Sequence, residues 1–242
     1  MWRFILLCCY SLPALAATPV CNNSIPATVL LELFTSQGCS SCPPAEAWLA
    51  KIPAQFDRNQ VITLAWHVDY WDYLGWKDEF SAPMFSTRQR ERVRASGDDN
   101  VYTPQLMING QTRVWYKQPE DFISPQLHSK RTAEISLTAQ QQDHGSWRID
   151  IDSATLPEDT QLRAVLIGET SSRNIASGEN AGRLLSHPSP VLAYASRVNN
   201  SVNLKPNNGK AVRAVVWLER TQSSEILAIS SLDLKTCQTK HS

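Results

Sequence analysis

Cys39 and Cys42 stand two serines apart. Thiols at this spacing close a disulfide with each other, exchange it with a substrate, or supply half of a tetrahedral metal site. A zinc site takes four ligands, and the chain has neither a second Cys-x-x-Cys pair nor two histidines at short spacing. Thiol–disulfide exchange is the leading reading. An inert structural disulfide and a metal-ligand pair stand beside it.

The flanking residues say what positions the pair. Residues 29–35 form an apolar run that reads as a buried strand, and a turn follows at Thr35 to Gly38. Pro43 and Pro44 suit a first helical turn, where backbone N–H groups have no intrahelical partner, and a helical pattern runs to about Phe56. The cysteines therefore sit where a strand hands over to a helix. The positive end of that helix stabilises a thiolate. Cys39 is expected as the partly exposed attacking thiol, and Cys42 as the less exposed one that resolves the mixed disulfide.

Charge and length narrow the function. The 242 residues carry a formal net charge of zero, which argues against a nucleic-acid partner. Arg88, Arg90, Arg92 and Arg94 form a basic run that Glu91, Asp98 and Asp99 balance, and it reads as a solvated helix face. Residues 1–17 read as a signal peptide: Arg3, an apolar segment from Phe4 to Leu12, and a small-residue cleavage pattern at Ala14 to Ala16. This predicts a periplasmic or secreted protein with no membrane span after cleavage.

Cys8 and Cys9 leave with the signal peptide, so the mature chain keeps Cys21, Cys39, Cys42 and Cys237. Local pairing of Cys39 with Cys42 leaves Cys21 and Cys237 for a structural disulfide. The rival is that either is free or pairs with another chain.

After the first strand and helix come a strand at 61–68, an aromatic loop at 69–80, a helix at 82–95 and a strand from Pro104. Asn109-Gly110 signals a hairpin, residues 112–116 supply its return strand, and 119–130 a closing helix that Pro125 limits. This βαβαββα order, with Cys-x-x-Cys after the first strand and Thr103-Pro104 before the third, resembles the thioredoxin superfamily over residues 27–131. The resemblance implies that Pro104 follows a cis bond, faces the cysteines and belongs to the catalytic site with Cys39 and Cys42. A trans proline opening an edge strand is the alternative. Gly38 and the two serines depart from the thioredoxin pattern and leave the direction of exchange open.

A narrower resemblance rests on residues 33–44 (LFTSQGCSSCPP), His67-Val-Asp-Tyr-Trp-Asp72, Gly75-Trp76 and Gly178-Glu-Asn-Ala-Gly-Arg183. These segments look like the exported bacterial family catalogued as domain of unknown function 1223. The family's activity is not established. His187-Pro-Ser-Pro190 departs from its usual pattern.

The second half changes character. Residues 134–139, 147–153, 161–168, 211–219 and 225–234 alternate apolar and polar, as half-buried antiparallel strands do. The expected architecture is thus an α/β thioredoxin-like domain at 27–131 followed by an antiparallel β-sandwich at 132–238. The stretch 170–206 reads as a long connection.

His67 and Asp69 close the second strand, on the sheet edge where active groups gather. They could tune the Cys39 thiolate, and a satisfied structural histidine is the plainer reading. Tyr70, Trp71, Tyr73 and Trp76 could wall a peptide site or be core. His187 and the Gly178–Asn180 turn could reach across from the second half, or serve to position it. The expected activity is thiol–disulfide exchange with an exported protein or small thiol, without a cofactor or metal. The alternatives are a soft-metal (copper) carrier using Cys39, Cys42 and His67, and a non-catalytic binding module.

Overall fold

The structure, a computed structural model, describes residues 20–153 and 156–238. The expected signal peptide at 1–17 lies outside the described residues.

Val29–Thr35 and Val61–His67 pair in parallel, from Val29 opposite Val61 to Thr35 opposite His67. Both strands are buried along their whole length, because an unbroken apolar run suits a sheet covered on both faces. Gln105–Ile108 joins Val29–Thr35 antiparallel, and Gln111–Arg113 completes a four-stranded sheet as its edge. One face packs on the helix Pro43–Leu49 through Leu31, Leu33, Ala45 and Leu49. The other carries Leu30, Phe34, Leu64 and Trp66 against the helix Pro83–Ala95 and against a second sheet.

That second sheet has five strands, in the order Val191–Val198, Thr160–Gly168, Ala211–Arg220, Ile226–Asp233 and Ile25–Pro26. Successive strand residues point to opposite faces. Val165, Val215 and Trp217 therefore meet the first sheet, while Ala164, Ala214 and Val216 meet a third. The third sheet is four-stranded: Val20–Cys21, Ile135–Gln141, Trp147–Ser153 and Ser201–Leu204. A ribbon of Ser171–Asn174 and Leu184–His187 forms a separate two-stranded sheet, and its second strand packs on the helix Pro43–Leu49.

This corrects the expected fold class. The chain is not a βαβαββα thioredoxin-like fold followed by a sandwich; among the described residues it is mostly β, with 40% strand, 19% helix and four sheets. Three physical reasons are visible. Proline shortens the helices: the pattern expected to run to Phe56 breaks into Pro43–Leu49 and Ile52–Gln55, with Pro53 in the first turn of the second piece. Pro125 likewise leaves only Glu120–Ile123 and a 3-10 turn in the expected closing helix. The polar lead-in supplies strands to the distant sheets, Val20 opposite Gln140 and Ser230 opposite Pro26. The stretch expected as a long connection holds four strands, among them Val191–Val198 in the five-stranded sheet.

The reading of the arginine run is corrected for Arg88 and Arg92, while Arg90 and Arg94 are exposed as expected. Arg88 and Arg92 are 1% and 0% exposed and point inward. Arg88 meets Glu32 at 3.0 Å and Glu219 at 2.8 Å, and Arg92 meets Glu32 at 2.9 Å. Arg163 reaches Glu219 at 2.9 Å, and Trp217 donates its indole N–H to the same carboxylate at 2.7 Å. The network pins the helix Pro83–Ala95 between the first and second sheets. Burying such charges is costly unless each is paired, and here each of the three arginines meets a carboxylate.

Candidate functional site

The strand Val29–Thr35 ends at a tight turn. The Cys39 amide donates to the Ser36 carbonyl at 3.2 Å, and the Cys42 amide to the Cys39 carbonyl at 3.2 Å. Cys42 then caps the helix, and its carbonyl accepts the amides of Ala45 and Glu46 at 3.0 and 3.1 Å. Cys39 and Cys42 form a disulfide with Cα atoms 5.4 Å apart.

Both cysteines are fully buried, at 0% exposure, while Ser40 and Ser41 are exposed. This corrects the expectation of a partly exposed Cys39. The cover is the turn around Asn180, delivered from the second half. Asn180 donates its side-chain amide to the carbonyls of Gln37 at 2.8 Å and Cys39 at 2.9 Å. Arg183 donates from its guanidinium to the Asn180 side-chain oxygen at 2.7 Å, and the Ser40 amide donates to Glu179 at 3.1 Å. Gly178 and Gly182 bracket the turn at φ +78° and +79°, a region where side chains are strained.

The Thr103–Pro104 bond is cis. Trp71 donates its indole N–H to the Thr103 hydroxyl at 2.8 Å, and Ser41 donates its hydroxyl to the Thr103 carbonyl at 3.4 Å. An open cleft of about 410 Å³ lies here, lined by Ser41, Tyr102, Pro104, Arg113, Trp115 and Tyr116. Of the aromatic loop, Tyr70 and Trp71 pack on the core and Tyr73 is 81% exposed. Trp76 donates to the Gln37 side chain at 2.8 Å, so it braces the cysteine turn.

Beneath the helix lies a buried polar cluster. Thr35 donates its hydroxyl to one Glu46 oxygen at 2.5 Å, and the other lies 2.8 Å from His187 Nδ1. His67 Nδ1 lies 2.7 Å from Asp78, which also accepts the Gln37 amide at 2.9 Å. The two imidazoles meet edge to face with centroids 5.3 Å apart, and Phe80 packs on both. His187 arrives because Ser189 bridges to the strand Val61–His67: its carbonyl accepts the Ala65 amide at 3.0 Å. Burial works against protonation of His67, but the Asp78 carboxylate, helped by Glu46, holds its pKa above the ordinary 6.5. Burial pushes the Asp78 carboxyl up, and His67 with the amides of Gln37 and Phe80 brings it below the usual range.

His67 is thus partnered by Asp78 rather than Asp69. Asp69 turns to Ser86, which donates its hydroxyl to it. Sequence reasoning passed over Glu46 and Asp78. Glu46 was findable, since it stands one helical turn after Cys42 and so on the same face. Cys21 and Cys237 form a second disulfide, with Cα atoms 5.5 Å apart.

Residues 30–227 match the model of a family described as protein of unknown function, DUF1223. Two solved structures resemble the chain. A crystal structure of a protein from Agrobacterium tumefaciens has a TM-score of 0.60 at 25% identity, covering 89% of this chain and 98% of that one. HBP35 of Porphyromonas gingivalis has a TM-score of 0.56 at 14% identity, covering 90% and 78%, and its likeness is one of fold alone. No curated protein matches.

Proposed function

We propose that this chain, which belongs to the DUF1223 family of proteins of unknown function, carries out thiol–disulfide exchange at Cys39 and Cys42 after export from the cytoplasm. The observation that carries the reading is a closed Cys39–Cys42 disulfide at a strand-to-helix junction, beside the cleft at Pro104. Two disulfides in one chain also suit an oxidising compartment.

From the closed state, a thiolate of a substrate dithiol attacks the Cys39 sulfur. A bond forms between them, and the Cys39–Cys42 bond breaks with Cys42 leaving as thiolate. The substrate's second thiolate then attacks its own bridged sulfur and expels Cys39. The substrate ends as a disulfide and the pair as two thiols, so two electrons pass from substrate to protein. The reverse sequence reduces a substrate disulfide. The reduction potential of the pair sets which direction runs.

Equilibration with glutathione buffers tests this. An exchanging pair has a potential above about −300 mV, and a Cys42→Ser variant accumulates a mixed disulfide through Cys39. A potential below that value, with no mixed disulfide, overturns the proposal.

Full burial of both sulfurs favours a second reading, a binding module stapled by an inert disulfide. Native-state alkylation after reduction separates the two. Labelling of Cys39 ahead of Cys42 supports exchange, and labelling only on global unfolding supports the module. The copper reading gains nothing from the geometry, because the ligand atoms gathered around His67 belong to Glu46 and His187 and not to the two cysteines.

A further inference from the structure

We propose that Glu46, His67 and His187 form a buried binding site for one divalent transition-metal ion of the zinc class. It uses neither cysteine, so it stands or falls separately from the exchange chemistry.

One ligand atom from each of the three residues lies within 4.8 Å of the other two. They come from three separate elements: the helix Pro43–Leu49, the end of the strand Val61–His67 and the end of the strand Leu184–His187. Each histidine has Nδ1 against a carboxylate, Asp78 for His67 and Glu46 for His187. For His67 that is the arrangement that orients a metal-binding imidazole and fixes its tautomer, whereas the carboxylate at His187 is itself a proposed ligand. In its neutral form, with Nδ1–H donated to Asp78, His67 presents a lone pair on Nε2. The Nε2 atoms of both histidines are buried and have no hydrogen-bond partner. Buried nitrogens in native proteins are ordinarily satisfied, so this pair asks for an occupant.

Charge points the same way. Glu46 and Asp78 are two buried carboxylates, and among the described residues no lysine or arginine pairs with either. The groups around them are Thr35, the two imidazoles, the Phe80 ring and backbone amides. Neutral imidazoles leave two negative charges uncompensated in the interior. One divalent ion supplies the balancing charge at a single point. Two imidazoles and a carboxylate suit zinc and its neighbours, and not the hard cations that prefer all-oxygen shells. Zinc–ligand bonds of about 2.0–2.1 Å set tetrahedral donors about 3.3 Å apart, so binding draws the three side chains together by roughly 1 Å. The ion would fasten the second half of the chain to the cysteine helix.

The test uses the full chain with its disulfides closed, so that no thiol competes. Zinc is added to the native protein and, separately, during refolding, and Co²⁺ serves as the spectroscopic probe. Binding of one ion per chain is expected, with an absorption spectrum lacking thiolate charge transfer. X-ray absorption should show imidazole scattering and no sulfur. Affinity should fall about a hundredfold in His67→Asn and His187→Gln and at least about tenfold in Glu46→Gln, with unchanged circular dichroism. Sub-stoichiometric binding by both routes overturns the proposal, as does equal affinity in the folded variants. If no variant folds, the wild-type absorption spectrum decides, and a shell without imidazole overturns the site.

Discussion

The side-chain amide of Asn180 donates to the backbone carbonyl of Cys39 at 2.9 Å, across 141 residues of chain. The contact belongs to the cover over the disulfide, and both residues are fully buried. Replacing Asn180 by Ala removes this bond and the one to Gln37. At about 1 kcal/mol each, their loss should speed reduction of Cys39–Cys42 by dithiothreitol about tenfold or more. Stopped-flow tryptophan fluorescence or quenched alkylation measures the rate. An unchanged rate would mean that the turn does not shield the pair.

The Arg88–Glu219 cluster predicts an acid-sensitive fold. Burial pushes the Glu219 carboxyl up, but Arg88, Arg92 and Arg163 overcome this and hold it far below its ordinary 4.5. A carboxyl depressed in the folded state stabilises the protein fully above its unfolded value. That contribution is lost as pH falls from about 4.5 toward the folded value. Urea midpoints measured from pH 6 to pH 3 should fall steeply in the wild type and less so in Glu219→Gln. At neutral pH Glu219→Gln should cost about 3–5 kcal/mol, because it leaves buried guanidinium groups unpaired.

Gly110 has φ +86°, and an added Cβ would stand 2.5 Å from the Ser224 carbonyl and 2.8 Å from an Arg92 nitrogen. Gly110→Ala should therefore lower stability by more than the 1–2 kcal/mol of a left-handed side chain alone. Chemical denaturation measures this. Gly145, also at positive φ but with open space around it, is the control and should lose only the backbone part.

The disulfide between Cys21 and Cys237 closes a sequence separation of 216. Replacing both cysteines by serine should destabilise the protein by about 2–5 kcal/mol. Hydrogen exchange should quicken first where Val20 and Cys21 pair with Gln140 and Ala139. Uniform exchange in variant and wild type would assign the bond no role at that edge.

What the sequence made legible is local. The strand Val29–Thr35, the proline-led helix start and the hairpin at Asn109-Gly110 follow from composition and turn chemistry over a few residues, and all three form. What stayed hidden depends on partners far along the chain. Val165 and Ala164 look like alternating strand residues, but both of their faces are covered, because a third sheet stacks where solvent was expected. Arg88 and Arg92 look solvated until Glu32 and Glu219 are brought to them. Glu46 and Asp78 are two unremarkable residues until the fold sets His187 against one and His67 against the other.

The central core joins Leu30 and Phe34 to Val215, Trp217 and Ile229. A ribosome must therefore make nearly the entire polypeptide before its first strands can be enclosed. Loop closure over such distances is slow, and the early apolar segments wait uncovered while it happens. Cys39 and Cys42 emerge about 140 residues ahead of Asn180, which at typical synthesis rates of about 5–20 residues per second is an interval of several seconds or more. During that interval the thiols stand open to any oxidant or chaperone in reach. The newborn chain thus passes through a period of chemical accessibility that the turn around Asn180 later restricts.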